Sequence, residues 1–176
     1  MVSTPTGFVR LNSDVFAFGN PGSAGTGGVL WDCFGKWISD FAHHIGFTIS
    51  FVAELWGLRE CLMLARWLDV SKIVIEIDVK SIVDLLNYEG DHGFQFHPCS
   101  VIFSDYRSLI QLFEVTIFQH THLEGNYCAD LLAKAGNSSS TPFSVFYVPL
   151  LLLQANTWQM LRAFTTPAIV ILLNFP

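Results

Sequence analysis

The chain has 176 residues, enough for one domain with a core of ordinary size. A hydrophobic share of 51% with only 14% charged residues excludes an intrinsically disordered chain. The formal net charge of −6 excludes a strongly basic nucleic-acid binder, so association with any polyanion is expected to be weak and metal-dependent.

FVRLNSD (8–14) alternates and is rich in β-formers, which predicts a strand ending at Asp14. FGNPGSAGTGG (18–28) holds five glycines and a proline, which predicts turn structure. GVLWDC (28–33) and KWISDFAHHI (36–45) read as a hairpin closed by Phe34-Gly35. Over 50–68, Leu55, Leu58, Cys61, Leu62, Ala65 and Leu68 recur at three- and four-residue steps, predicting a helix with Ser50 as its N-cap. SKIVIEID (71–78) has few polar interruptions, as a central strand covered on both faces requires. A short helix is expected over 80–88, a loop over 89–98, a helix over 100–113, a strand over 114–122 and a helix over 125–135 closed by Gly136. This order predicts an α/β domain, a mixed five-stranded sheet with three antiparallel strands, then parallel ones, flanked by helices.

NSSST (137–141) is the one linker-like stretch, so the domain is placed at 8–137, with 138–176 as an apolar extension, docked or partly disordered. Pro149, Gln154, Asn156, Gln159, Arg162 and Pro167 interrupt every window of about 18 apolar residues, which argues for a docked strand and helix rather than a membrane span. Cys33, Cys61, Cys99 and Cys128 show no CxxC pair and no metal spacing, predicting buried free thiols. MVSTPTG lacks a charged stretch followed by an apolar run, so an intracellular place, cytoplasmic or nuclear, is expected rather than secretion.

Four carboxylates stand out: Asp14, Glu54, Asp78 and Asp130, at or near the ends of four separate apolar-patterned segments. Acids far apart in sequence, each on a rigid element, are what a site for hard divalent cations needs. Asp14 and Asp78 meet if the first and fourth strands are neighbours, because ligands of such sheets gather beyond the carboxyl ends of parallel strands. Glu76 alternates with Asp78 on one strand face and is a candidate for a supporting role. Trp56 and Trp67 are expected to pack rather than to stack on bases, and His120 and His122 to be satisfied histidines.

LNSD, GNPGSAGTGGVLWD, AELWGLRECLMLA, IVIEIDVKSIVDLL and HTHLEGNYCADLLAK, in this order and spacing, resemble the ribonuclease H-like domain of plant retrotransposon-derived proteins, a branch of the type 1 ribonuclease H family. The resemblance runs from about Arg10 to Lys134. It implies a ribonuclease H-like fold and a metal-dependent endonuclease that hydrolyses the RNA strand of RNA–DNA hybrids by a two-metal mechanism, leaving 5′-phosphate and 3′-hydroxyl ends. By motif position the metal-holding and catalytic residues are Asp14, Glu54, Asp78 and Asp130, with two Mg²⁺ ions, or Mn²⁺, as cofactors. Asn20 and Asn126 match positions near the substrate, a nucleic acid; a monomer without membrane attachment is expected.

The chain departs from that pattern in three places. Val15-Phe16-Ala17-Phe18 follows Asp14 where the family usually has Gly and small or polar residues, and Val79 follows Asp78 where Ser is common. A β-branched residue after Asp14 is expected to restrict the approach of metal and phosphate to the backbone and to alter the turn. The family's flexible loop with a product-releasing His is absent between His122 and Asn126. A second reading is therefore a degenerate module that binds nucleic acid or protein without cleavage. A third takes the chain as a piece of a larger reverse-transcriptase-type polyprotein.

Overall fold

A computed structural model describes residues 4–77, 80, 82, 84, 99–120 and 126–146. Its element order is β1 (Val9–Gly19), β2 (Gly22–Trp31), β3 (Trp37–Thr48), α1 (Ser50–Trp67), β4 (Lys72–Ile77), α2 (Ser100–Ile110), β5 (Val115–His120), α3 (Tyr127–Ser138) and β6 (Phe143–Phe146). The strands form one sheet in the order β5-β4-β1-β2-β3-β6. β1, β2, β3 and β6 pair antiparallel, whereas β1–β4 and β4–β5 are parallel. The five expected strands are present, and a sixth from the apolar extension adds to β3, so the sheet continues through Phe146. Of the short helix expected over 80–88, Lys80, Ile82 and Asp84 are helical; the remainder, the loop over 89–98 and the chain after Phe146 lie outside the described residues.

The two sheet faces are covered differently. On one face, Leu11, Leu30 and Phe41 pack with Leu55, Leu58, Cys61, Leu62 and Leu64 of α1 and with Phe103 and Tyr106 of α2. On the other, Leu132 of α3 packs on Val29, Ala42 and Phe146. Tyr106 is buried and donates its hydroxyl hydrogen to the Leu55 carbonyl at 2.8 Å, bracing α2 against α1. No helix among the described residues is long and apolar enough to cross a membrane.

Most of the glycine-rich run is strand rather than turn. Only Asn20 and Pro21 separate β1 from β2, and Gly22 to Gly28 are strand residues. A Cβ on Gly27 would lie 2.3 Å from the Leu132 Cβ, and one on Gly25 would lie 2.2 Å from the Asn137 nitrogen. These glycines are there because α3 lies directly on the β2 backbone, a recognised reason for glycine inside a strand. Gly136, expected just beyond the helix, lies within α3 for the same reason: a Cβ there would meet the His43 backbone at 2.7 Å.

Two smaller expectations are also revised. Ser50 is the first residue of α1, after Ile49 at the N-cap, and its amide hydrogen goes to Asn20 Oδ1 at 3.1 Å. An asparagine thirty residues away therefore caps the helix. The four cysteines are free, but only Cys61 is fully buried; Cys33, Cys99 and Cys128 are half-buried.

Candidate active site

Asp14 does not end its strand. β1 continues through Gly19 because residues 15–19 pair in unbroken register with β2, leaving Asp14 opposite Gly27. The absent side chain of Gly27 leaves room for α3 beside Asp14. Asp14 is buried, and its Oδ1 accepts the Val15 amide hydrogen at 2.7 Å. Its carbonyl oxygen accepts the Thr26 hydroxyl hydrogen at 2.9 Å. Val15 pairs with Thr26 inside the strand, and alternation turns its Cβ to the face opposite Asp14. The β-branched side chain thus suits an extended strand and alters no turn.

Asp130 is half-buried in the first turn of α3, and its amide donates to the Asn126 carbonyl at 3.0 Å. Asn126, at the N-cap, is completely buried and makes no side-chain capping bond. Its Nδ2 instead donates to the carbonyl oxygen of Ser13 at 2.7 Å. That bond ties the start of α3 to β1 one residue before Asp14. The Asn126 Oδ1 is buried with no hydrogen-bond partner among the described residues. Asp130 also forms an ion pair with Lys134 at 2.6 Å, one helical turn on.

Glu54 is half-buried near the start of α1, one turn before Gly57. Gly57 lies against β1 and β2: a Cβ there would meet Thr26 Oγ1 at 2.3 Å and Ser13 Oγ at 3.4 Å. Glu54 therefore enters from the sheet face opposite α3. Burial pushes the Tyr106 phenol well above its usual value, with the charges of Cys61, Glu54 and Glu60 adding to the rise. Asp78 and Val79 lie outside the described residues, as does His122. Asp78 directly follows Ile77, the last residue of β4, and β4 is the parallel neighbour of β1.

Glu76 is held more firmly than sequence reasoning anticipated. Its Oε2 accepts from Asn12 Nδ2 at 2.8 Å and its Oε1 from Gln119 Nε2 at 2.7 Å. Asn12, Glu76 and Gln119 are register partners across β1, β4 and β5. They form a polar ladder on the face that carries Asp14, one alternation step below it. Asn12 and Gln119 were missed as candidates; for Asn12 the signal was a polar residue two places before an acid on a strand, and Gln119 carried none.

Asn20 is exposed in the β1–β2 turn and spends its Oδ1 on Ser50. Trp56 and Trp67, expected to pack, are 37% and 43% exposed on α1, and the Arg59 guanidinium lies 5.5 Å from the Trp56 ring centroid. His120 is exposed at the end of β5.

A family model described as reverse transcriptase-like matches residues 12–136. The chain belongs to that family. A protein of Arabidopsis thaliana that carries the name ribonuclease H protein is 34% identical over 145 residues. The aligned part is 82% of this chain and 23% of that relative, so the chain spans less than a quarter of the relative's length. Among solved structures, the N-terminal RNase H domain of a Mycobacterium tuberculosis protein is similar at 25% identity with a TM-score of 0.67, covering 74% of this chain and 93% of that one. RNase H1 of Halobacterium salinarum, at 23% identity and a TM-score of 0.66, covers 73% and 96% and shares the fold. LC11-RNase H1, isolated from compost and solved with an RNA/DNA hybrid, is 25% identical with a TM-score of 0.62 over 72% and 94%. The architecture described above is the ribonuclease H-like fold.

Among the described residues, no three His, Cys, Asp or Glu side chains are grouped closely enough to hold a metal ion. In kind, the donors fit a hard cation: Asp14, Glu54 and Asp130 offer carboxylate oxygens, the ligand type that suits Mg²⁺ and Mn²⁺.

Proposed function

We propose that this chain is a ribonuclease H-type nuclease domain that cuts the RNA strand of RNA–DNA hybrids, with Asp14, Glu54, Asp78 and Asp130 holding two divalent cations, Mg²⁺ or Mn²⁺. The observation that carries this reading is the Asn126–Ser13 bond, which brings the acidic turn of α3 to β1 beside the buried Asp14. β4, whose chain runs on into Asp78, is the next strand. When bound, two such ions stabilise the charge on the attacking and leaving oxygens of a phosphodiester.

The chain's own residues supply the rest. Asp14 is oriented by the Val15 amide and Thr26, and Asn126 fixes α3 against β1. The buried Asn126 side chain suits positioning rather than substrate contact. Asn20 is exposed at the turn, and its NH₂ group would meet the backbone or a 2′-hydroxyl of a hybrid, which is recognised mostly by shape and sugar contacts. Lys134 must release or share the Asp130 carboxylate when a cation is taken up.

A specific observation favours the second reading, a module that binds without cutting. The Asp130 carboxylate is already neutralised by Lys134, and the three described acids are not gathered into one cluster. A labelled RNA–DNA hybrid with Mg²⁺ separates the two. Wild type is expected to cleave, and Asp14→Asn and Asp78→Asn to lose cleavage while melting at the same temperature or higher, since each removes one negative charge from a chain whose formal charge is −6. Equal turnover by wild type and Asp78→Asn would sink the nuclease assignment, and retained hybrid binding without any cleavage would establish the degenerate module.

A further inference from the structure

Glu76 is 6% exposed, and both of its carboxylate oxygens accept a hydrogen from a neutral amide, one from Asn12 and one from Gln119. Acceptance at both oxygens is the arrangement of an ionised carboxylate. Among the described residues no Lys or Arg comes within ion-pair distance of it. Arg10, two residues before Asn12 on the same face, forms no such pair either, and its buried Nε has no hydrogen-bond partner among the described residues. A buried charge without a paired cation is costly.

The ladder itself does not call for that charge. A glutamine in place of Glu76 would fill the same space and, with one partner amide flipped, keep both bonds without burying a charge. What the charge adds is a field. Asn12 and Glu76 are register partners, and Asp14 is the next residue of β1 on that face, so Glu76 lies one strand across and two residues back from Asp14. Those steps put the two backbones roughly 8 Å apart. Tied at both oxygens, the Glu76 carboxylate is fixed at that distance rather than free to turn towards Asp14 as a ligand.

We propose that Glu76 is a fixed, non-ligating charge that raises the affinity of the site at Asp14 for a divalent cation. The proposal rests on the metal reading above and adds to it a residue that holds no ion itself. At an effective dielectric between that of a protein surface and that of bulk water, one negative charge about 8 Å from a divalent cation changes its affinity roughly tenfold. Added salt shortens the reach of such a field, because the Debye length falls from about 30 Å at 0.01 M to about 8 Å at 0.15 M.

Binding of Mn²⁺ to the full chain, without nucleic acid, is followed by the electron paramagnetic resonance signal of the free ion at about 0.01 M and about 0.3 M KCl. Two variants separate charge from ladder. Glu76→Gln keeps the ladder and removes the charge. Its Mn²⁺ affinity is expected to fall about tenfold at the lower salt and less than about threefold at the higher, with a melting temperature close to wild type. Glu76→Asp keeps the charge and, one methylene shorter, gives up a ladder bond, so it should melt lower yet hold Mn²⁺ within about threefold of wild type. Affinity that follows melting temperature across the three proteins, or a Glu76→Gln loss that salt leaves unchanged, would make Glu76 a purely structural residue and overturn the proposal. Equal binding by wild type and Glu76→Gln overturns it too and leaves the metal reading standing. No Mn²⁺ binding by wild type, matched by Asp14→Asn, defeats the metal reading and the proposal together.

Discussion

His43 packs its ring edge on Phe143 at a centroid distance of 5.2 Å, and its Nδ1 is buried with no hydrogen-bond partner among the described residues. Burial pushes the imidazole down from 6.5 to about 4, and the neighbouring His44 adds to the shift. In the unfolded chain the ring titrates near its ordinary value, so between those limits only the unfolded state takes up the proton. The stabilisation is therefore complete above about pH 6.5 and is lost as the pH falls to about 4. Its size is about 2 kcal/mol, allowing for partial solvent exposure. Urea unfolding of wild type against His43→Gln should show a gap that changes across this window; parallel curves would contradict the assignment. The sequence showed only two adjacent histidines in a strand. That one of them packs on Phe143 of β6 depended on a strand a hundred residues later.

Packing between elements is decided by what lies between α3 and β2. Gly27 permits α3 to rest on the strand opposite Asp14, and its hydrogen in place of a side chain is a condition of the site as well as of the fold. Gly27→Ala would drive a methyl group into the backbone of Ala133 and the Leu132 side chain, and overpacking of this kind costs roughly 1–3 kcal/mol. Because Asp130 rides on α3, the variant should also need more Mg²⁺ for half-maximal cleavage. A melt and a Mg²⁺ titration check both, and an unchanged melting temperature would show that the helix can move at no cost. The ladder across β1, β4 and β5 makes a parallel case. Glu76→Leu leaves the Asn12 and Gln119 amides without their acceptor, a loss of about 2–4 kcal/mol. Glu76→Gln should fall well short of that loss, because flipped partner amides can restore both bonds. Denaturant midpoints that rank the two variants the other way would refute the ladder as a stabilising unit.

At the scale of the whole molecule the excess of acids sets the terms of association. With a formal charge of −6, hybrid binding is expected to be weaker in EDTA than in millimolar Mg²⁺, and the two affinities measured by anisotropy should differ several-fold. Equal affinities would mean that no cation mediates the contact. Much of this protein is legible along the chain. Periodicity marked β1, α1 and β4, because burying one face of an element leaves a repeat of two or 3.6 residues wherever it occurs. The order of the elements then required antiparallel strands followed by parallel ones, and the motifs carried the four acids. The glycines of β2 misled, since a glycine that opens a turn and one that admits a helix are the same letter. What the tertiary structure alone decided are partners distant in sequence. Asn20 caps α1 from thirty residues away, Glu76 joins Asn12 across 64, and Asn126 holds Ser13 across 113. A hydrogen bond between such groups leaves no periodic trace, because it depends on two elements meeting in space rather than on the pattern within either.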